Sequence, residues 1–161
     1  MPELTRTLDL PDIAATDDFA RALSGVLGAG DCVLLSGEMG AGKSHLARAI
    51  IQRLQTPFGR VEDVPSPTYT LVQNYAAGTL DIVHADLYRL GDPDEIEELG
   101  ILDTLETALT LVEWPERMGR HRPATALRLT LEMAGTGRRA RLAGDERHWA
   151  GRLGLEDAAH A

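Results

Sequence analysis

Hydrophobic and polar positions alternate at the start of the chain, where Leu4, Leu8 and Leu10 share one face of a short strand before Pro11-Asp12 turns it. The spacing then changes. Thr16 is placed to cap a helix with Asp17 and Asp18 in its first turn, Phe19, Leu23, Val26 and Leu27 as one buried stripe, and Gly28 and Gly30 ending it. Cys32 to Leu35 is a continuous apolar run suited to a buried strand, and Leu46, Ala49, Ile50 and Leu54 recur at helical spacing until Thr56-Pro57-Phe58-Gly59. Two prolines stiffen Val64 to Thr70 as an extended approach to a strand running to about Tyr75. Ala76 to Thr79 reads as a hairpin turn into Leu80 to Asp86, a strand with Ile82, His84 and Asp86 on one face and Asp81, Val83 and Ala85 on the other.

Asp92-Pro93-Asp94-Glu95 starts a short helix with proline at its first position, and Gly100 closes it. A second short helix is expected over Thr104 to Thr107. Leu109 to Val112 resembles a central strand, ending in Glu113 and followed at once by Trp114-Pro115-Glu116. Arg120 to Pro123 reads as loop. Leu127, Leu129 and Leu131 alternate as a strand, and Gly135-Thr136-Gly137 turns into Arg138 to Leu142, a late antiparallel hairpin. Asp145 to Leu153 can form a final helix before a frayed tail, so that residues 145–161 are a C-terminal appendage. The whole chain of 161 residues, free of repeats and linkers, fits one α/β domain.

The most specific stretch lies between the first continuous strand and the helix that follows it. Gly37 to Ser44 reads GEMGAGKS and satisfies the phosphate-loop pattern G-x-x-x-x-G-K-[ST] at every fixed position. Gly40 and Gly42 let the backbone curl with its N–H groups inward, making an anion nest at a helix N-terminus. Lys43 can reach the β- and γ-phosphates, and the Ser44 hydroxyl can ligate a bridging Mg²⁺. Lys43 is the only lysine in the chain. A guanine reader of the form [NT]-K-x-D is therefore impossible, no D-x-x-G switch is present, and adenine nucleotide is favoured over a regulatory GTPase.

Charge and cysteine usage narrow the setting. The formal net charge of −9, from 16 basic and 25 acidic residues, argues against broad wrapping of nucleic acid, so any RNA connection is expected to be indirect. The one cysteine, Cys32, excludes an internal disulfide. No apolar run approaches a membrane span and no signal pattern opens the chain, which implies a cytoplasmic protein. Acid is crowded at Asp92, Asp94, Glu95, Glu97 and Glu98, while arginine is concentrated after position 117.

Three functions fit these residues: an ATPase, a small-molecule kinase with an arginine lid, and a nucleotide-binding module with negligible turnover. Glu113, an acid at the end of a central-type strand, sits where phosphate-loop enzymes keep a magnesium-side carboxylate. Ser66-Pro67-Thr68 either senses a γ-phosphate or simply leads into a strand. His84 alone is a packed or supporting histidine rather than a ligand.

GEMGAGKS, SPTYTLVQNY, HADLYRLGDPDEIEELGILD and LVEWPERM occur in an order and spacing that resemble the bacterial TsaE (YjeE) family of tRNA threonylcarbamoyladenosine biosynthesis. The resemblance spans about residues 4 to 143. It implies a P-loop NTPase-like α/β domain with a mixed central sheet flanked by helices, binding ATP or ADP with Mg²⁺ and hydrolysing ATP weakly alone. It also implies a partner, the TsaB–TsaD heterodimer, which places threonylcarbamoyl on N6 of adenosine 37 in tRNA reading ANN codons. Carried over residue by residue, the nucleotide contacts fall on Met39, Gly40, Ala41, Gly42, Lys43, Ser44, Trp114 and Arg138. Ser44, where many members carry threonine, and Glu113 fall on the metal side, Lys43 and Asp86 are the catalytic pair, and Ser66 to Thr68 resemble a switch. The segment after Arg120 departs most from the family pattern.

Overall fold

The computed structural model describes residues 3–65, 67 and 71–153. Its apolar runs become strands β1 (Glu3–Leu10), β2 (Cys32–Ser36), β3 (Val72–Ala77), β4 (Leu80–Asp86), β5 (Leu109–Glu113), β6 (Leu127–Ala134) and β7 (Gly137–Asp145). They form one sheet in the order β1-β7-β6-β2-β5-β4-β3. The centre is parallel, β2 lying between β5 and β6 with β4 beyond β5. The flanks are antiparallel, through the β3–β4 and β6–β7 hairpins and the pairing of β1 with β7. The fold is thus α/β with a mixed sheet. β5 is buried along its whole length, and β2 except at Ser36, which is why β2 reads as a continuous apolar run and β5 as a mostly apolar one.

Side-chain alternation divides the interior into two layers. Val33, Leu35, Ile82, Leu109 and Leu111 face helices α1 (Ile13–Ser24) and α2 (Lys43–Gln55), meeting Phe19, Leu23, Leu46 and Ile50. Cys32, Leu34, Ala85 and Val112 face the other way, against Leu87, Ile96, Ile101 and Met118. Each fully buried Leu or Ile contributes about 2 kcal/mol. Ile101 lies in α3 (Ile101–Thr104), while Ile96 and Met118 lie in two 3₁₀ segments, Pro93–Leu99 and Pro115–His121. Among the described residues no helix is long and apolar enough to cross a membrane.

Several boundaries differ from the sequence reading, each for a local reason. α1 is capped by Asp12, not Thr16: the Asp12 carboxylate accepts from the Ala15 N–H at 2.8 Å, and Thr16 is buried one turn inside. That helix ends at Ser24, so Val26 and Leu27 pack on the core from beyond it. The Pro93–Leu99 helix is 3₁₀ rather than α, and the next helix is α3 at Ile101–Thr104 rather than Thr104 to Thr107. Arg120 and His121, expected in loop, close the second 3₁₀ segment.

The final helix is a single turn, α4 (Glu146–Trp149), capped by Asp145 and stopped where Ala150 turns extended and Gly151 left-handed; before it β7 runs on to Asp145, paired residue for residue with β1 down to Glu3. Trp149 is fully buried and donates from Nε1 to the Thr125 carbonyl at 2.8 Å. Arg152 donates to both oxygens of buried Asp31 and to the Val26 carbonyl, pinning the end of the described chain beneath β2. The tail from 154 onward lies outside the described residues.

Candidate functional site

β2 ends at Ser36 and α2 begins at Lys43, so the glycine-rich motif is the connection between them. Gly40 and Gly42 take φ of 85° and 102°, which a side chain would strain, and Gly42 leaves the first turn of α2 without a side-chain cap. The N–H groups of that turn are the anion-binding end of the helix dipole. The parallel register Leu35↔Glu113 and Asp86↔Glu113 aligns the carboxyl ends of β2, β5 and β4 beside that helix start. A crevice beyond the carboxyl ends of parallel strands is where α/β sheets hold ligands.

Lys43 is buried and folds back on its own loop. Its Nζ donates to the carbonyls of Gly37 and Glu38 and lies 4.1 Å from the centroid of the Trp114 ring. Burial pushes its ammonium below the ordinary lysine value, against the charges of Glu113, Glu116 and Asp86, which pull it upward. Ser44 donates its hydroxyl to Glu113 Oε1 at 2.8 Å, and Glu113 Oε2 faces His84 Nε2 at 2.7 Å. Asp86 is held by its backbone, the N–H donating to the Leu71 carbonyl at 2.8 Å, while its Oδ1 accepts from the Tyr88 N–H at 3.0 Å.

Trp114 takes a left-handed backbone, φ 58° and ψ 53°, directly after Glu113, while its N–H donates to the Leu35 carbonyl at 3.2 Å. A non-glycine residue there costs about 1 kcal/mol, and the bend puts the indole over Lys43 and against Tyr88, ring centroids 5.0 Å apart.

Met39, Gly40, Gly42, Lys43, Ser44, Asp86, Glu113 and Trp114 all line one cleft of about 490 Å³. Ala41 and Arg138 lie on its other side, lining a second hollow of about 350 Å³ with Leu10, Asp12 and Ile13; the two hollows share Gly42 and His45. Arg138 reaches the loop by donating from Nε to the Ala41 carbonyl at 3.0 Å and from Nη2 to the Gly40 carbonyl at 3.2 Å. Of the switch-like loop, Pro67 is buried and its carbonyl accepts from the Leu71 N–H at 2.6 Å, whereas Ser66 and Thr68 lie outside the described residues.

The family described as "Threonylcarbamoyl adenosine biosynthesis protein TsaE" matches residues 10–141. The chain belongs to the TsaE family. Its curated relatives include proteins named tRNA threonylcarbamoyladenosine biosynthesis protein TsaE. That of Rickettsia bellii is 37% identical over 73% of this chain and 80% of its own. That of Rickettsia conorii is 43% identical over 63% and 56%, and that of Synechocystis 35% identical over 73% and 75%. Among solved structures, YdiB of Bacillus subtilis superposes with a TM-score of 0.72 over 99% of this chain and 97% of its own, at 21% identity, and so shares the fold.

For this TsaE chain the sequence reading missed His84 as the second anchor of Glu113, and His45 as the residue common to both hollows. His84 carried a signal, since it shares a strand face with Asp86. Tyr88, which packs on Trp114, and Asp12, which caps α1 at the rim of the second hollow, carried none.

Proposed function

We propose that this TsaE family member is a Mg²⁺-dependent ATPase that works with TsaB–TsaD, and through that complex on tRNA, in the cytoplasm. The observation that carries the reading is the Ser44–Glu113 hydrogen bond beside buried Lys43 at the head of α2. Asp86 and Glu113, 4% and 2% exposed, pair directly across strands about 4.8 Å apart, next to an anion nest. Two buried carboxylates beside a triphosphate repel it unless a cation stands between them. Ser44 and Glu113 fit that cation as a hydroxyl and a carboxylate oxygen. Among the described residues no group of three His, Cys, Asp or Glu side chains is placed to hold a metal by itself, so phosphate and water oxygens would complete its shell.

Mg²⁺, when bound, neutralises phosphate charge as it develops during transfer. Lys43 meets the phosphates by exchanging its two loop carbonyls for phosphate oxygens. Asp86, fixed at the mouth by the Leu71 and Tyr88 backbones, is placed to orient a water. The second hollow, which shares Gly42 and His45 with the cleft, suits the nucleoside half.

The test is phosphate release from Mg²⁺-ATP by the purified protein, alone and with TsaB–TsaD. Slow release that the heterodimer accelerates and Lys43→Ala abolishes is expected. Equal release by wild type and Lys43→Ala, or phosphorylation of a metabolite faster than phosphate release, would overturn it.

A further inference from the structure

Two donors hold the Glu113 carboxylate, and only one of them belongs to the phosphate loop. Oε1 accepts from Ser44 at 2.8 Å, and Oε2 faces His84 Nε2 at 2.7 Å. His84 is 1% exposed and Glu113 2%, so water competes for neither. The second ring nitrogen, His84 Nδ1, is buried and has no hydrogen-bond partner among the described residues. That assigns the proton. A ring carrying hydrogen on Nδ1 would bury an N–H donor without an acceptor, whereas hydrogen on Nε2 alone leaves only a lone pair there and gives Glu113 its donor.

The placement follows from strand register. Asp86 pairs with Glu113 and His84 with Leu111, so His84 lies one pleat below Asp86 on the same face and reaches sideways to the carboxylate. On that face it is flanked by Ile82, Leu109 and Leu111, all fully buried and apolar, and it pairs across to half-buried Gln73 on β3. A histidine serving packing alone has no need of a 2.7 Å contact to a carboxylate in such a layer.

The geometry points to His84 as a positioning residue for the metal-side carboxylate: by holding Oε2 it fixes the rotation of Glu113, so that Oε1 faces Ser44 and the divalent cation accompanying the nucleotide. This role rests on the reading of Ser44 and Glu113 as the metal side. One strand then supplies both Asp86 at the mouth and the imidazole that sets its neighbour.

His84→Leu removes the donor and keeps an apolar filling, while His84→Gln keeps an amide N–H near the position of Nε2. The measurement is ADP affinity by calorimetry across a Mg²⁺ titration and in EDTA, with thermal melts as the folding check. His84→Leu should raise the Mg²⁺ concentration for half-effect about 10- to 100-fold, leave ADP affinity in EDTA within about twofold, and be largely rescued in His84→Gln. Should His84→Leu fail to fold, His84→Asn replaces it: its amide stops near the position of Nδ1 and should show the same loss. An unchanged Mg²⁺ requirement in the variants, or an equal fall in EDTA, would overturn the role. Wild-type protein whose ADP affinity ignores Mg²⁺ would overturn the metal-side reading itself, and this role with it.

Discussion

The ammonium of Lys43 lies 4.1 Å from the centroid of the Trp114 ring while donating to two carbonyls of its own loop. The chain's only lysine is thereby stored, desolvated, against an aromatic face. A nucleotide phosphate that draws Lys43 away removes a cation from the indole, so Trp114 emission should change when ADP and Mg²⁺ saturate the site. Trp149, fully buried under β7, is silenced as a background by Trp149→Phe. Unchanged emission in that variant would place the nucleotide elsewhere.

Lys43→Met should keep much of the packing on Trp114 and lose the charge. Because two carboxylates remain beside the phosphate site, the loss of nucleotide affinity should be at least about tenfold, on the order of the 1.4 kcal/mol that factor represents. Calorimetry with Mg²⁺-ADP checks this. Normal binding would mean the loop N–H groups hold the phosphates alone.

Asp86 and Glu113 are neighbours with different attachments, the Asp86 carboxylate accepting from the Tyr88 backbone N–H and Glu113 meeting Ser44 and His84. Glu113→Ala should therefore weaken Mg²⁺-dependent nucleotide affinity, while Asp86→Ala should spare binding and depress turnover. Equal losses of both properties in both variants would show the two acids acting as one unit.

The Asp31–Arg152 pair should make stability depend on acid. Burial alone would raise the Asp31 carboxyl, but hydrogen bonds from Arg152, the Gly28 N–H and His148, with the Arg152 charge, bring it below its ordinary 3.8. A depressed folded value means the pair stabilises fully above 3.8 and its contribution fades as pH falls below that. Arg152→Ala should cost about 2 kcal/mol in urea melts at pH 7, since it removes the cationic partner of a buried carboxylate, and markedly less near pH 3. A pH-independent cost would mean that Arg152 acts through packing on Trp149.

The sequence alone determined the parts whose signal is local. The continuous apolar run Cys32 to Leu35 and the mostly apolar run Leu109 to Val112 suited strands buried on both faces, which marked β2 and β5, and a glycine-rich turn ending in Lys43-Ser44 marked the candidate phosphate site. Short motifs around Asp86 and Glu113 marked the family. Caps and short helices were less legible because several polar residues compete for each terminus. Asp12 captured the start of α1 from Thr16 by reaching the Ala15 N–H, and pairing with β1 extended β7 beyond Leu142 to Asp145.

The tertiary structure decided what depends on register between distant segments. Whether His84 meets Glu113, 29 positions away, depends on how β4 slides along β5, since a shift of one residue would turn His84 to the opposite face. Arg138 reaches Gly40 and Ala41 only because the β6–β7 hairpin ends beside the loop, and Trp114 covers Lys43 only because its backbone bends left-handed after β5. Periodicity reports which residues are buried; chain packing alone determines which buried groups touch.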